Sequence, residues 1–121
     1  MSDSVGILAQ VIVSKAATTP GATVIYIVPR NTQTSVSSVV ICNQHGSATT
    51  VDIAVLDRAS DIGDSSQVSS KCYLFKGLSV AANTTKLISP GITLNQFNSI
   101  AVQASVTDVV SINIFGIENS Q

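Results

Sequence analysis

Thr34-Ser35-Val36-Ser37-Ser38-Val39-Val40-Ile41-Cys42-Asn43 is the stretch whose reading decides the fold. It is rich in β-branched side chains, carries no Pro or Gly, and ends at the turn-like Asn43-Gln44-His45-Gly46-Ser47. Such side chains suit a pleated, packed surface. The stretch reads as a central strand, apolar enough at its end to be covered on both faces.

Outward from it, the same period of two recurs. Upstream, Ala22–Val28 forms a strand stopped by Pro29, and Pro29-Arg30-Asn31-Thr32 turns the chain into the central stretch. Val5–Val13 forms an earlier strand, with Val5, Ile7, Ala9, Val11 and Val13 predicted on one face. Ser14–Gly21 is a loop marked by Pro20-Gly21. Downstream, Thr49–Leu56 is the cleanest alternation. Val51, Ile53 and Val55 are predicted to face in and Asp52 out, as in a half-solvated antiparallel strand.

Further apolar segments are Cys72–Phe75, Leu78–Val80, Thr84–Ile88, a short ridge at Ile92–Leu94, Ser99–Ala104 and Val109–Phe115. Val110, Ile112 and Ile114 should face the core in the last. No segment carries a helical period. Short strands with a turn signal between each pair predict an all-β fold: one antiparallel β-sandwich, jelly-roll or Ig-like, of about eight strands. One domain spans residues 1–121, with short polar tails at 1–4 and 118–121. The pairing order stays open, because a Greek key and a meander share this periodicity.

Composition excludes several function classes. Charged residues make up 11% of the chain, against about 25% in an average soluble domain. Ser, Thr, Asn and Gln replace them, giving a surface of short side chains that is easily buried against another protein, since charge depletion marks interface cores. The six basic residues are scattered over a net charge of −1, and Trp is absent. Nucleic-acid binding needs a basic stripe, which this chain lacks. No apolar run is long enough for a transmembrane helix. Met1-Ser2-Asp3-Ser4 has no basic n-region, and Val5–Val13 is broken by Gly6 and Gln10, so no signal peptide is expected. The chain is then made in a reducing cytoplasm, where Cys42 and Cys72 are expected as buried thiols.

Candidate chemistry is sparse. His45 is the single histidine and sits in a turn, so a nucleophile–His arrangement has nowhere else to form. Two Cys and one His make no zinc spacing. Asp52 and Asp57 would fall on opposite faces of a continuous strand. The longest polar segment, 57–70, holds Asp57, Asp61 and Asp64 but not the spacing of a calcium-binding EF-hand loop, and it is expected to be exposed. The expected numbers of catalytic, cofactor-binding and metal-binding residues are therefore none.

Several segments taken in order carry a resemblance. They are Ile7-Leu8-Ala9-Gln10, Val24-Ile25-Tyr26-Ile27-Val28-Pro29, Val36–Asn43, Lys71-Cys72-Tyr73-Leu74-Phe75, Asn83-Thr84, Gly91-Ile92-Thr93-Leu94 and Asn113-Ile114-Phe115-Gly116-Ile117-Glu118. Together they resemble a family of small β-sandwich virion proteins of tailed phages from cyanobacteria and other aquatic bacteria, over roughly residues 7–118. The chain departs from the family pattern at Ala9, where Gly is usual, and in a longer, more acidic 57–70 loop.

The resemblance implies a structural virion protein with no enzymatic role, a capsid decoration (cement) protein first and a neck, tail or fibre-attachment component second. It implies the major capsid protein or other virion proteins as partners, a homo-oligomer with a trimer favoured, and residence in the virion after synthesis in the host cytoplasm. No nucleic-acid or membrane partner is expected. A carbohydrate-binding sandwich is a further alternative, weakened by the absence of Trp and by aromatic residues that mostly fall inside strands.

Overall fold

The computed structural model describes residues 3–13, 23–57, 72–106 and 108–120, and every regular element among them is a strand. In chain order these are β1 (Asp3–Val13), β2 (Thr23–Ile27), β3 (Thr32–Asn43), β4 (Thr49–Leu56), β5 (Tyr73–Val80), β6 (Thr84–Ile88), β7 (Ile92–Leu94), β8 (Ser99–Ala104) and β9 (Val110–Ser120). A front sheet runs β1-β9-β3-β6, with β7 sharing the β3 edge below β6. A back sheet runs β2-β8-β4-β5, and all pairings are antiparallel. The all-β sandwich is thus as expected, with nine described strands.

β3 lies inside the front sheet, flanked by β9 on one side and by β6 and β7 on the other. Its inward side chains, Val36, Val39 and Ile41, meet Ile112 and Ile114 of β9 and face Val51, Ile53, Ile100 and Val102 of the back sheet. Each such side chain contributes about 1.5–3 kcal/mol by leaving water. The predicted inward faces of β4 and β9 are confirmed: Ile53 is nearly buried, and Val110, Ile112 and Ile114 are fully so.

The two ends of the sandwich are closed by polar contacts rooted in β3. At one end, buried Thr34 meets the Tyr26 hydroxyl of β2 at 2.8 Å, and that hydroxyl donates to Glu118 of β9. At the other end, the Asn43 side-chain amide donates to the carbonyls of Ser47, Val80 and Ala81 at 3.0–3.2 Å. Its oxygen accepts from the His45 N–H and the Thr49 hydroxyl. A buried polar group is costly unless paired, and these pairings tie front sheet to back sheet on both sides of the apolar core.

Two bulges reshape the front sheet. β9 pairs with β1 through Ile7↔Phe115 and then Ala9↔Ile114, so Leu8 is an extra residue. It pairs with β3 through Val36↔Gly116 and then Ser38↔Phe115, so Ser37 is another. Both neighbours of β9 therefore carry their extra residue beside Phe115, and the Ser37 hydroxyl donates to the Phe115 carbonyl at 3.1 Å. Gly116 is what permits this. A Cβ placed there would sit 2.0 Å from the Ser35 carbonyl oxygen and 3.0 Å from Leu8 Cδ1.

Several expectations are corrected. An extra residue reverses which face the following side chains take, so Val5 and Ile7 do not share the face of Ala9, Val11 and Val13. They are 76% and 59% exposed, while Val13 is buried. β4 is not half-solvated, because Ala54, Leu56 and Ala101 on the outer side of the back sheet form a second small cluster with Cys72. The segments Cys72–Phe75 and Leu78–Val80 are joined, since Tyr73–Val80 is one strand with Cys72 in a turn just before it, and the Ile92–Leu94 ridge is strand β7. The expected polar tails are partly strand: β1 starts at Asp3, and Glu118 to Ser120 continue β9. Cys72 is buried as expected, but Cys42 is only half-buried, since it lies on the outer side of β3; no disulfide joins them. Most of the 57–70 loop lies outside the described residues.

Gly116→Ala should destabilise the domain by more than the ~1–3 kcal/mol typical of overpacking, because the clash is with backbone. Gly46→Ala, which meets nothing within 4 Å, should change stability by under about 0.5 kcal/mol. Chemical denaturation of both variants checks this; equal midpoints would contradict the pinched β3–β9 register.

Candidate contact surface

Alternation along the bulged strands turns one set of residues to the outer face of the front sheet. From β1 come Val5, Ile7, Gln10 and Ile12; from β9, Ser111, Asn113, Phe115 and Ile117. β3 contributes Gln33, Ser35, Ser37, Val40 and Cys42, with Thr85 and Leu87 of β6 and Thr93 of β7 beside them. None of these is charged. Glu118 points the other way, into the Tyr26 contact, and Lys86 reaches across to the Ser79 carbonyl at 3.4 Å.

Exposed apolar side chains concentrate on this face. Val5, Ile7, Ile12, Leu87 and Ile117 are all well exposed. A shallow groove of about 550 Å³ crosses it, lined by Val5, Gly6, Ser35, Ser37, Phe115, Gly116 and Ile117 on one side and by Gly91, Ile92 and Thr93 on the other. Gly116, the residue that fixes the register, lies in its lining. A contiguous exposed apolar patch marks an interaction site more often than scattered exposed residues do. The outer side of the back sheet differs, since there Ala54, Leu56 and Ala101 are covered.

The residues weighed for chemistry are held in structural contacts. Asp52 accepts from the Gly77 N–H at 2.7 Å and pairs with Lys76 at 3.2 Å. That hydrogen bond to Asp52 raises the Lys76 ammonium pKa. The Asp57 carboxylate accepts from the Asn98 side-chain amide at 3.0 Å. Asp52 and Asp57 thus serve separate partners. His45 is half-buried in its turn, and its Nδ1 has no hydrogen-bond partner among the described residues. No group of three or more His, Cys, Asp or Glu comes together among the described residues to hold a metal.

Among the described residues, Tyr26 has the strongly displaced titration. Burial first, and then its hydrogen bond to Glu118, push the phenol up to about 12. With its proton committed to Glu118, the phenolic oxygen accepts from Thr34. A buried, displaced group can mark an active site, but none of these three side chains lines the groove. The cluster clasps the two sheets together.

Sequence periodicity missed the Val5–Ile7 exposure because only pairing reveals the bulge. Gly6, at φ 148°, was the one local signal of irregular backbone in that strand. The other residue it missed is Phe97, which is 56% exposed in the turn before β8 with a φ of 66°. That backbone region is unfavourable for a bulky side chain. No family model matches the chain, and no curated protein matches it.

Tyr26→Phe should cost about 1.5–3 kcal/mol at neutral pH, the range for losing a hydrogen bond to a charged group. The folded state holds the phenol proton more tightly than the unfolded chain, whose value is near 10.0. Its contribution is therefore complete below about pH 10 and is lost as pH climbs through about 12. The stability gap between parent and variant should shrink over that window; denaturation at neutral and alkaline pH reads it. A gap that holds constant would contradict the clasp.

Proposed function

We propose that the chain is a structural virion protein of a tailed phage: a capsid decoration, or cement, protein that stabilises the shell through protein–protein contacts. The observation that carries this reading is the stretch of the front sheet's outer face around the groove, where Val5, Ile7 and Ile117 are exposed and none of the described outward side chains is charged. Burying such a face releases apolar area without stripping water from charges. The ordered motifs from Ile7 to Glu118 that resemble small phage virion proteins point the same way. On this reading the chain has no catalytic role, takes no cofactor, is made in the host cytoplasm and resides in the virion. Its partner is the major capsid protein, with three copies gathered around each local three-fold junction of the shell. Repetition of a weak contact then supplies avidity without a strong single site.

A second reading, a carbohydrate-binding sandwich, is favoured by Phe97. Its exposed ring follows Asn95 and Gln96, and these two carboxamides pair with Asn31 and Gln33 across the same end of the sandwich. An aromatic face beside amides is the usual composition of a sugar site.

The purified protein should co-sediment with expanded empty capsids in saturable amounts, and Ile117→Lys should abolish that binding while leaving the melting temperature unchanged. Binding to isolated neck or tail complexes in place of shells would move the protein to that part of the particle. Saturable glycan binding lost in Phe97→Ala, with no binding to shells, would overturn the virion reading.

A further inference from the structure

We propose that β1 is the surface through which two copies of this chain join, edge to edge and antiparallel, into one continuous front sheet. The inference rests on the part of the virion reading in which copies assemble with one another.

Among the described residues the two sheets have four borders, one of them shared by β6 and β7, and these differ in how they discourage pairing. A free edge is a template for another strand, and proteins blunt it with lysine, proline or brevity. β5 carries Lys76 with its side chain 65% exposed. β6 carries Lys86, and Pro90 separates it from β7 along the same border. β2 has five residues and stops before Pro29. β1 has eleven residues, Asp3–Val13, with no Lys, Arg or Pro and no charge after Asp3. Among the described residues it pairs only with β9; its one other backbone hydrogen bond is from the Asp108 N–H to the Val13 carbonyl.

The chemistry of the edge specifies its occupant. Its N–H and C=O groups that find no strand partner among the described residues require an extended strand. Its lack of charge from Ser4 to Val13 requires an uncharged one, because a lone charge there would be buried without a counter-ion. β1 itself meets both conditions, and its bulge supplies the register. Outward residues are Val5 and Ile7 before the bulge and Gln10 and Ile12 after it. Antiparallel pairing that sets Val5 opposite Ile12 of the partner subunit and Ile7 opposite Gln10 of the partner subunit keeps outward side chains beside outward ones throughout. The Leu8–Ala9 step then falls on the two-fold axis. An interface of this kind is isologous and closes on itself. It also merges the apolar patches of the two outer faces into one, and on a shell it would link copies seated at neighbouring junctions.

Sedimentation equilibrium of the full chain should give a mass of two chains. Ile7→Lys and Ile12→Lys, at positions 59% and 45% exposed, should each reduce this to one chain with a melting temperature close to the parent's. Leu87→Lys, on the opposite border and 63% exposed, should remain a pair. A parent of one or three chains, edge variants that stay paired, or a Leu87→Lys variant that dissociates equally would overturn the proposal. Capsid co-sedimentation separates the two readings. A monomeric parent that binds shells overturns edge pairing alone, and a paired parent that ignores shells overturns the virion reading alone.

Discussion

The rest of the structure depends on how β3 is held. It runs from Thr34 to Asn43 through the apolar core, and a buried polar residue at each end fastens it to the back sheet. Between those ends its long pairing with β9 is possible only because Gly116 has no side chain to meet the Ser35 carbonyl. An apolar core alone would tolerate sliding of one sheet over the other, since burial is not directional. Directional hydrogen bonds from Tyr26 and Asn43 remove that freedom, and the pinch at Gly116 sets the register to a single residue.

That register has a consequence for the surface. With Leu8 and Ser37 both inserted beside Phe115, the front sheet changes phase along β1 and turns Val5 and Ile7 outward. A strand whose apolar residues would otherwise all face the core thus supplies both core and exposed apolar surface. Bulges recur at sheet edges and beside functional sites because they re-aim side chains. Here two of them act on one line across three strands, and the groove lies over that line. The low charge of the chain then matters locally, because the described side chains that β1 turns outward from Val5 to Ile12, and those beside them on β9 from Ser111 to Ile117, carry no ion that a partner would have to neutralise.

Much of this was legible in the sequence. Strand type, the central place of Thr34–Asn43 and the inward sets Val51–Ile53 and Val110–Ile112–Ile114 followed from a period of two read over local windows. The bulge in β1 did not, because Val5, Ile7, Ala9, Val11 and Val13 alternate perfectly and only the partner strand shows that Leu8 has no counterpart. The covered outer side of β4 was also hidden, although Ala54 and Leu56 on the Asp52 face were a signal that the strand is apolar on both sides. Thr34 and Asn43 read as ordinary strand and turn residues, since their roles depend on Tyr26, Val80 and Glu118, which are distant in sequence. Composition showed only a chain poor in charge; where the exposed apolar residues gather needed the register.

The proposed virion reading, which holds that a tailed phage encodes the chain, is tested most directly by the copy number of the chain in purified particles from its source, measured by quantitative mass spectrometry against the major capsid protein. A cement protein seated around the junctions of the shell predicts hundreds of copies, in fixed proportion to the capsid subunit. A dozen or so copies would place the chain at the neck or tail, and none at all would contradict a structural role in the particle.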